Sequence, residues 1–234
     1  MRHVIRILAF IILITQSNIL VSQSKSAKQI LNGVYTKMMT AKDYTVIANI
    51  KVDLPFVKMF PVNATIYFKQ KDKFKVVSKS IAIVPRQGFD QFTRMLTDTT
   101  SFDALVSGTE LIGANQTVII NVIPSSDTSD LILGKLWIDN KRNVVLKSQL
   151  TTKSNGTILT EYNYSKQIKY GLPDNMIFTV DVKKFKIPKS VAADINNSNS
   201  KVDDKSKDNK KGKIYLHFSD YQINKGIADG VFKK

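Results

Sequence analysis

The sequence predicts a mainly β fold, an antiparallel meander that curls into a sandwich or barrel, with helical segments laid against it. Three observations carry this. Most of the chain alternates apolar and polar residues with period two, the pattern of half-buried strands. The alternating runs are separated by turn-forming clusters such as GAN, NKR, SNG and YGLPD, at spacings of about eight to twelve residues. Two segments break the alternation and carry apolar residues at helical spacing instead.

The first helical segment, SAKQILNGVYTKMMTAKDY, places Ala27, Ile30, Leu31, Val34 and Met38 on one face. DYTVIANIKVD then switches period, with Tyr44, Val46, Ala48, Ile50 and Val52 on one side and Thr45, Asn49 and Lys51 on the other. LPFVKMFP interrupts with two prolines. VNATIYFKQ resumes the alternation through Val62, Ala64, Ile66 and Phe68, and KFKVVSK continues it through Phe74, Val76 and Ser78. The short charged turn KDK between them predicts an antiparallel hairpin.

The second helical segment, SIAIVPRQGFDQFTRMLTD, stops an apolar run at Pro85 and then spaces Phe89, Phe92, Met95 and Leu96 as a helix over about 86–98. Beyond it SFDALVSGTEL, QTVIINVIP, DLILGKLWID, NVVLKSQLTTK, TILTEYNYSK and NMIFTVDVKKFKIP read as successive strands. In LILGKLWID, Ile132, Leu136 and Ile138 oppose Leu133 and Trp137, so both faces are apolar and the side taken by Trp137 stays open. Residues 190–213 are polar and dense in Lys, Asp, Asn and Ser, which predicts a flexible basic insertion at about 190–212. The strand KIYLHFSDYQIN, with Ile214, Leu216 and Phe218 in alternation, closes the fold.

At 234 residues and 43% hydrophobic content the chain can bury one good core. It carries 35 basic against 19 acidic residues, a formal charge of +16, so its surface attracts anions: lipid headgroups, acidic proteins or nucleic acid. The amino-terminal layout narrows that list. Arg2, His3 and Arg6 lead into VIRILAFIILI and then a small-residue polar stretch, TQSNILVSQSKS, the form of a secretory signal peptide cleaved between Ser22 and Ser24. The apolar run from Ile7 to Ile14 is short for a span that needs about 20 residues. The expected organisation is a signal peptide over 1–23 and a single exported, soluble domain over 24–234. Export separates the chain from chromosomal DNA and most RNA, so nucleic acid is not an expected partner.

Little in the sequence points to catalysis. There is no cysteine, hence no disulfide, thiolate nucleophile, Cys zinc site or lipid-modified Cys. Past the leader the only histidine is His217, set between Leu216 and Phe218 in the last strand, where a structural role is the default. Asp139, Glu161 and Asp181 lie in separate strands with nothing in the sequence to converge them, and no Gly-rich phosphate motif stands at a strand-to-helix junction. The expectation is a protein that is not an enzyme and holds no metal or cofactor. Sequons begin at Asn63, Asn115, Asn155, Asn163 and Asn196 and matter only in a eukaryotic secretory host. KSKDNKKGK reads either as a solvated loop or as a contact for an anionic membrane surface; Asp203, Asp204 and Asp208 dilute its charge, and no aromatic residue is interleaved to stack on a base. The segment 86–98 reads either as ordinary core packed on the sheet or as a lid over an apolar cavity.

The order of elements resembles a known family. A signal peptide, a helix ending in KDY, a long strand pair, a strand closing in YFKQKDKFKV, an inserted helix, a meander containing LWID and a closing strand together resemble the periplasmic outer-membrane lipoprotein carriers, LolA-like, of the Bacteroidetes lipoprotein-sorting type. The resemblance implies a mainly β (α+β) fold: a curled, unclosed antiparallel β-barrel with helices capping the concave apolar face. It implies a periplasmic location, an acylated lipoprotein or lipid cargo, and membrane-bound donor and acceptor proteins. YFKQKDKF falls where classical carriers have an Arg-Pro pair before an aromatic residue, and that arginine helps hold the carriers' lid shut. Here the positions read Gln70 and Lys71, with Phe74 retained.

On such a fold the alternating faces predict a lipid cavity lined by Val46, Ile50, Ile66, Phe68, Phe74, Val76, Leu136, Val144, Leu146, Phe178 and Val180. The lid would present Phe89, Phe92, Met95 and Leu96. The function expected is an exported carrier or binding protein for acyl chains. The alternatives are a periplasmic sensor or regulatory domain of the same architecture, and a structural protein that adheres to the envelope through its basic loop.

Overall fold

The computed structural model describes residues 25–55, 59–70, 73–80, 100–182 and 211–233. The expected signal peptide, the lid residues Phe89, Phe92, Met95 and Leu96, and most of the basic insertion lie outside the described residues.

Among the described residues one α-helix, α1 (Ala27–Met38), precedes ten strands: β1 (Asp43–Asp53), β2 (Val62–Lys69), β3 (Lys73–Ser78), β4 (Phe102–Ile112), β5 (Asn115–Pro124), β6 (Leu131–Asp139), β7 (Val144–Thr152), β8 (Gly156–Asn163), β9 (Asn175–Asp181) and β10 (Lys211–Ile223). They form a single antiparallel sheet in the order β3-β2-β1-β10-β9-β8-β7-β6-β5-β4. The chain runs as two meanders, and pairing of β1 with β10 joins them. The outermost strands, β3 and β4, are not paired with each other, so the sheet curls without closing into a barrel.

Strict alternation decides which face each residue takes, because neighbouring side chains on a strand point to opposite sides. On the inner face lie Val46, Ala48, Ile50 and Val52 of β1, with Ile214, Leu216 and Phe218 of β10 beside them. The alternation slips at bulges. In β6 the register shifts between Leu131 and Leu133, which puts Leu131 in the core and leaves Ile132 exposed. Ile132 therefore does not share the face of Leu136 and Ile138, as uniform alternation predicts. The same strand settles Trp137: it pairs with Ile119 and Lys147 on the outer face, opposite Leu136.

Helix α1 is set by a capping box. Ser26 Oγ accepts from the Gln29 main-chain N–H at 3.2 Å, and the Ser26 N–H donates to Gln29 Oε1 at 2.9 Å. The helix buries Ala27, Ile30, Leu31 and Val34 against the β4–β7 half of the sheet, beside Phe102, Ile120, Val122, Leu136 and Ile138. Gly33 lets the β6–β7 turn approach, since a Cβ there would lie 2.9 Å from Asn143 Oδ1. From the same turn the Arg142 carbonyl accepts a hydrogen bond from Lys37 Nζ.

Candidate functional site

Across the inner face one row of side chains runs through eight strands. In register order it reads Val52, Ile214, Phe178, Thr160, Ser148, Leu136, Ile120 and Val106, from β1 to β4. A second row, Val76–Ile66–Val46, crosses β3, β2 and β1, and a third brings Phe74, Phe68 and Tyr44 side by side. Apart from Thr160, Ser148 and the Tyr44 hydroxyl these positions are apolar. Antiparallel pairing places neighbours in such a row close enough to merge into one surface.

The inner face is organised as two apolar clusters. The first draws on β1, β2, β8, β9 and β10 and includes Val46, Ile50, Ile66, Ile158, Met176, Phe178, Val180, Ile214 and Leu216. The second lies beneath α1 and includes Ile120, Val122, Leu136, Ile138, Val145 and Leu150. An aromatic corner closes one end of the first cluster. Tyr44 stacks on Phe68 at 5.0 Å between ring centroids and meets Tyr221 edge-on at 6.0 Å. Burial pushes the hydroxyls of Tyr44 and Tyr221 well above the usual phenol range, so both are neutral; Tyr221 donates to the Pro173 carbonyl at 2.8 Å.

This architecture matches three solved structures over nearly their whole length. A LolA superfamily protein from Nitrosomonas europaea superposes with a TM-score of 0.58, covering 90% of this chain and 99% of its own at 11% identity. This is a LolA-like fold. An outer membrane lipoprotein-sorting protein domain from Vibrio parahaemolyticus gives 0.59 over 88% and 95% of the two chains at 9% identity. A DUF1329 family protein from Desulfovibrio piger gives 0.54 over 89% and 98% at 11% identity. No protein-family model and no curated protein matches the sequence.

Within the LolA-like sheet, the residues that alternation nominated are distributed unevenly. Val46, Ile50, Ile66, Phe178 and Val180 share the first cluster, with Phe74 and Val76 packed at its border and Phe68 against Tyr44. Leu136 sits instead in the cluster under α1. Val144 and Leu146 are buried but belong to neither cluster; the β6–β7 register shifts beside them, between Trp137 and Ile138.

Between the two clusters lies a polar group that alternation did not nominate. Ser148 and Thr160 are opposite one another on β7 and β8, 0% and 2% exposed, in the middle of the eight-strand row. Tyr162, two residues beyond Thr160 on the same face, is hydrogen-bonded through its hydroxyl to Ser148 Oγ at 3.1 Å and to the Thr160 side chain. Tyr162 packs against both apolar clusters. The sequence does hold a signal for this group: Ser148 is in phase with the inward Leu150, and Thr160 with Ile158, so each is a polar residue in an apolar phase.

The outer face is of a different character. Trp137 is buried there, its indole N–H donating to Glu110 Oε2 at 2.6 Å, with Lys147 Nζ 4.0 Å and Lys135 Nζ 4.8 Å from the ring centroid. His217 is exposed on this face, its Nδ1 hydrogen-bonded to Asn175 Oδ1 at 2.7 Å. Among the described residues, no group of three or more His, Asp or Glu side chains is placed to hold a metal ion. The inner face of this LolA-like fold is thus a continuous apolar surface interrupted by one cluster of hydroxyls.

Proposed function

We propose that this protein is an exported, periplasmic binding protein or carrier that holds the acyl chains of lipoproteins or related lipids against its inner face and passes them towards the outer membrane. The carrying observation is the eight-strand row from Val52 to Val106, apolar on both sides of its central hydroxyls, on a LolA-like sheet. The proposed lining comprises Val46, Ile50, Ile66, Phe68, Phe74, Val76, Leu136, Phe178 and Val180; Val144, next to the inward Val145, and Leu146, at the β7 irregularity, are left out of it.

The energetics suit reversible binding. Each buried methylene of an acyl chain contributes about 0.8 kcal/mol, so two or three chains would be held firmly. Separating the protein's own apolar contacts to admit them offsets part of that gain and leaves a net affinity from which cargo can be handed on. Donor and acceptor proteins in the two membranes complete the proposal.

The test is mass spectrometry, native and after organic extraction, on the full chain exported by its host and purified without detergent. Bound acylated species are the expected result and name the cargo class. A ligand-free protein that also fails to take up an apolar dye would overturn the reading.

A further inference from the structure

We infer that Ser148, Thr160 and Tyr162 form a polar subsite within the inner face that takes the acyl carbonyl joining a hydrocarbon chain to the rest of its lipid. The inference rests on the reading of that face as an acyl-binding surface and adds a point of chemical recognition to it.

Three features argue for it. The first is position. Ser148 and Thr160 are the only polar members of the row, and they occupy its centre, flanked by Leu136 on one side and Phe178 on the other. Hydrocarbon lying along the Phe178–Ile214–Val52 half, the half that α1 does not cover, would bring its linkage to this point.

The second is shape. Two small side chains between Leu136 and Phe178 leave a dip in the row, and the head of Tyr162 fills it. Tyr162 is half-buried while its two partners are fully enclosed, so it is the member of the trio that an incoming molecule meets. Rotation of the phenol away from the dip opens the Ser148 and Thr160 hydroxyls, and each hydroxyl can donate or accept as its rotor turns.

The third is chemistry. Burying hydroxyls in an apolar surface is costly unless they are hydrogen-bonded, whereas apolar side chains of the same shape would pack there without that requirement. A surface built only to hold hydrocarbon has no use for the difference. A surface that must fix the depth of a chain does, because a carbonyl oxygen is the first acceptor met at the end of the hydrocarbon. Burial raises the Tyr162 hydroxyl to about 12 against the opposing effect of its bonds to Ser148 and Thr160, so it remains a neutral donor under any physiological condition.

The experiment measures displacement of a bound apolar dye from the full chain by two probe lipids of equal chain length, one diacyl with ester linkages and one dialkyl with ether linkages. The ether lipid has the same hydrocarbon and no carbonyl. The ester lipid is expected to bind about three- to tenfold more tightly, the worth of one net hydrogen bond. Tyr162→Phe and Ser148→Ala should each bring the two affinities together while the ether lipid binds as before. Should Tyr162→Phe fail to fold, Ser148→Ala carries the comparison alone. Equal affinities in the unaltered protein, or an ester preference that survives both substitutions, overturns the subsite and leaves the carrier reading standing. If neither lipid displaces the dye, both readings fall.

Discussion

The side-chain amide of Gln70 donates to the main-chain carbonyl of Met39, 2.8 Å away and one residue beyond the end of α1. The Gln70 main-chain N–H also donates to the Lys42 carbonyl at 2.9 Å. From the far end of the chain, Asn224 Nδ2 donates to the Thr40 carbonyl at 3.0 Å and Asn224 Oδ1 accepts from the Lys42 N–H at 2.7 Å. The exit of α1 is therefore fixed to the ends of β2 and β10, and its entry carries the capping box of Ser26 and Gln29.

Gln70→Ala should remove one of these ties at a cost of about 1 kcal/mol. Hydrogen exchange should show the loss concentrated in α1, with the strands of the first apolar cluster unchanged. Uniform loss of protection across the whole sheet would contradict a local tether.

The Glu110 carboxylate should titrate below the ordinary carboxylate range. The Trp137 indole N–H, first, and the Lys147 ammonium, second, both bond to it and favour its charged form. Because the folded value is depressed, the stabilisation is complete above the unfolded carboxylate range and is lost as pH falls through the lower folded value. Trp137 is the only tryptophan, so its emission reports the event directly. A midpoint below 4.5 is expected, and Glu110→Gln should abolish the transition; a midpoint at or above 4.5 would contradict the contact.

The short turn Asp229–Phe232 is held to the β2–β3 hairpin by Asp229, whose carboxylate lies 2.7 Å from Lys69 Nζ and 2.9 Å from Lys73 Nζ. Hydrogen bonds from Lys69 and then Lys73 draw the Asp229 carboxyl down to about 2 from its usual 3.8. The contact should persist down to the unfolded range and be released between 3.8 and about 2. NMR shifts of the Val231 and Phe232 amides should follow that release, and Asp229→Asn should leave them flat across the window.

Gly212 lies on the inner face opposite Val180, and the side chain of Leu54 occupies the space a Cβ would need; Val182 Cγ2 would be 3.1 Å from it. Gly212→Ala should destabilise by about 1–3 kcal/mol through overpacking. Leu54→Ala introduced beside it should relieve part of that cost, so a double-mutant cycle by chemical denaturation should be non-additive. Strict additivity would mean that Leu54 does not fill the site.

Period two made the strands legible because each side chain's face depends only on its neighbours along the chain. DYTVIANIKVD was readable from Val46 to Val52 for that reason, since Val46, Ala48, Ile50 and Val52 form the buried phase; the buried Asp43 and the exposed Ile47 depart from it. LILGKLWID was not, since the bulge at Ile132 changes phase mid-strand and the partners of Trp137 come from Glu110 and Lys147, outside its strand. The junction of β1 with β10 was likewise invisible to local pattern, because it pairs Val52 with Ile214 across the length of the chain. The hydroxyls of Ser148 and Thr160 were passed over because a polar residue in a strand is read as facing water. Only the phase of their neighbours shows that these two do not.

A closed barrel has a girth set by its strand number and stagger. Among the described residues the sheet lacks one seam, between β3 and β4. A small change of twist shared over its nine strand junctions would alter the curvature of such a sheet with every ladder hydrogen bond kept. The girth of such a sheet follows from its twist and not from closure.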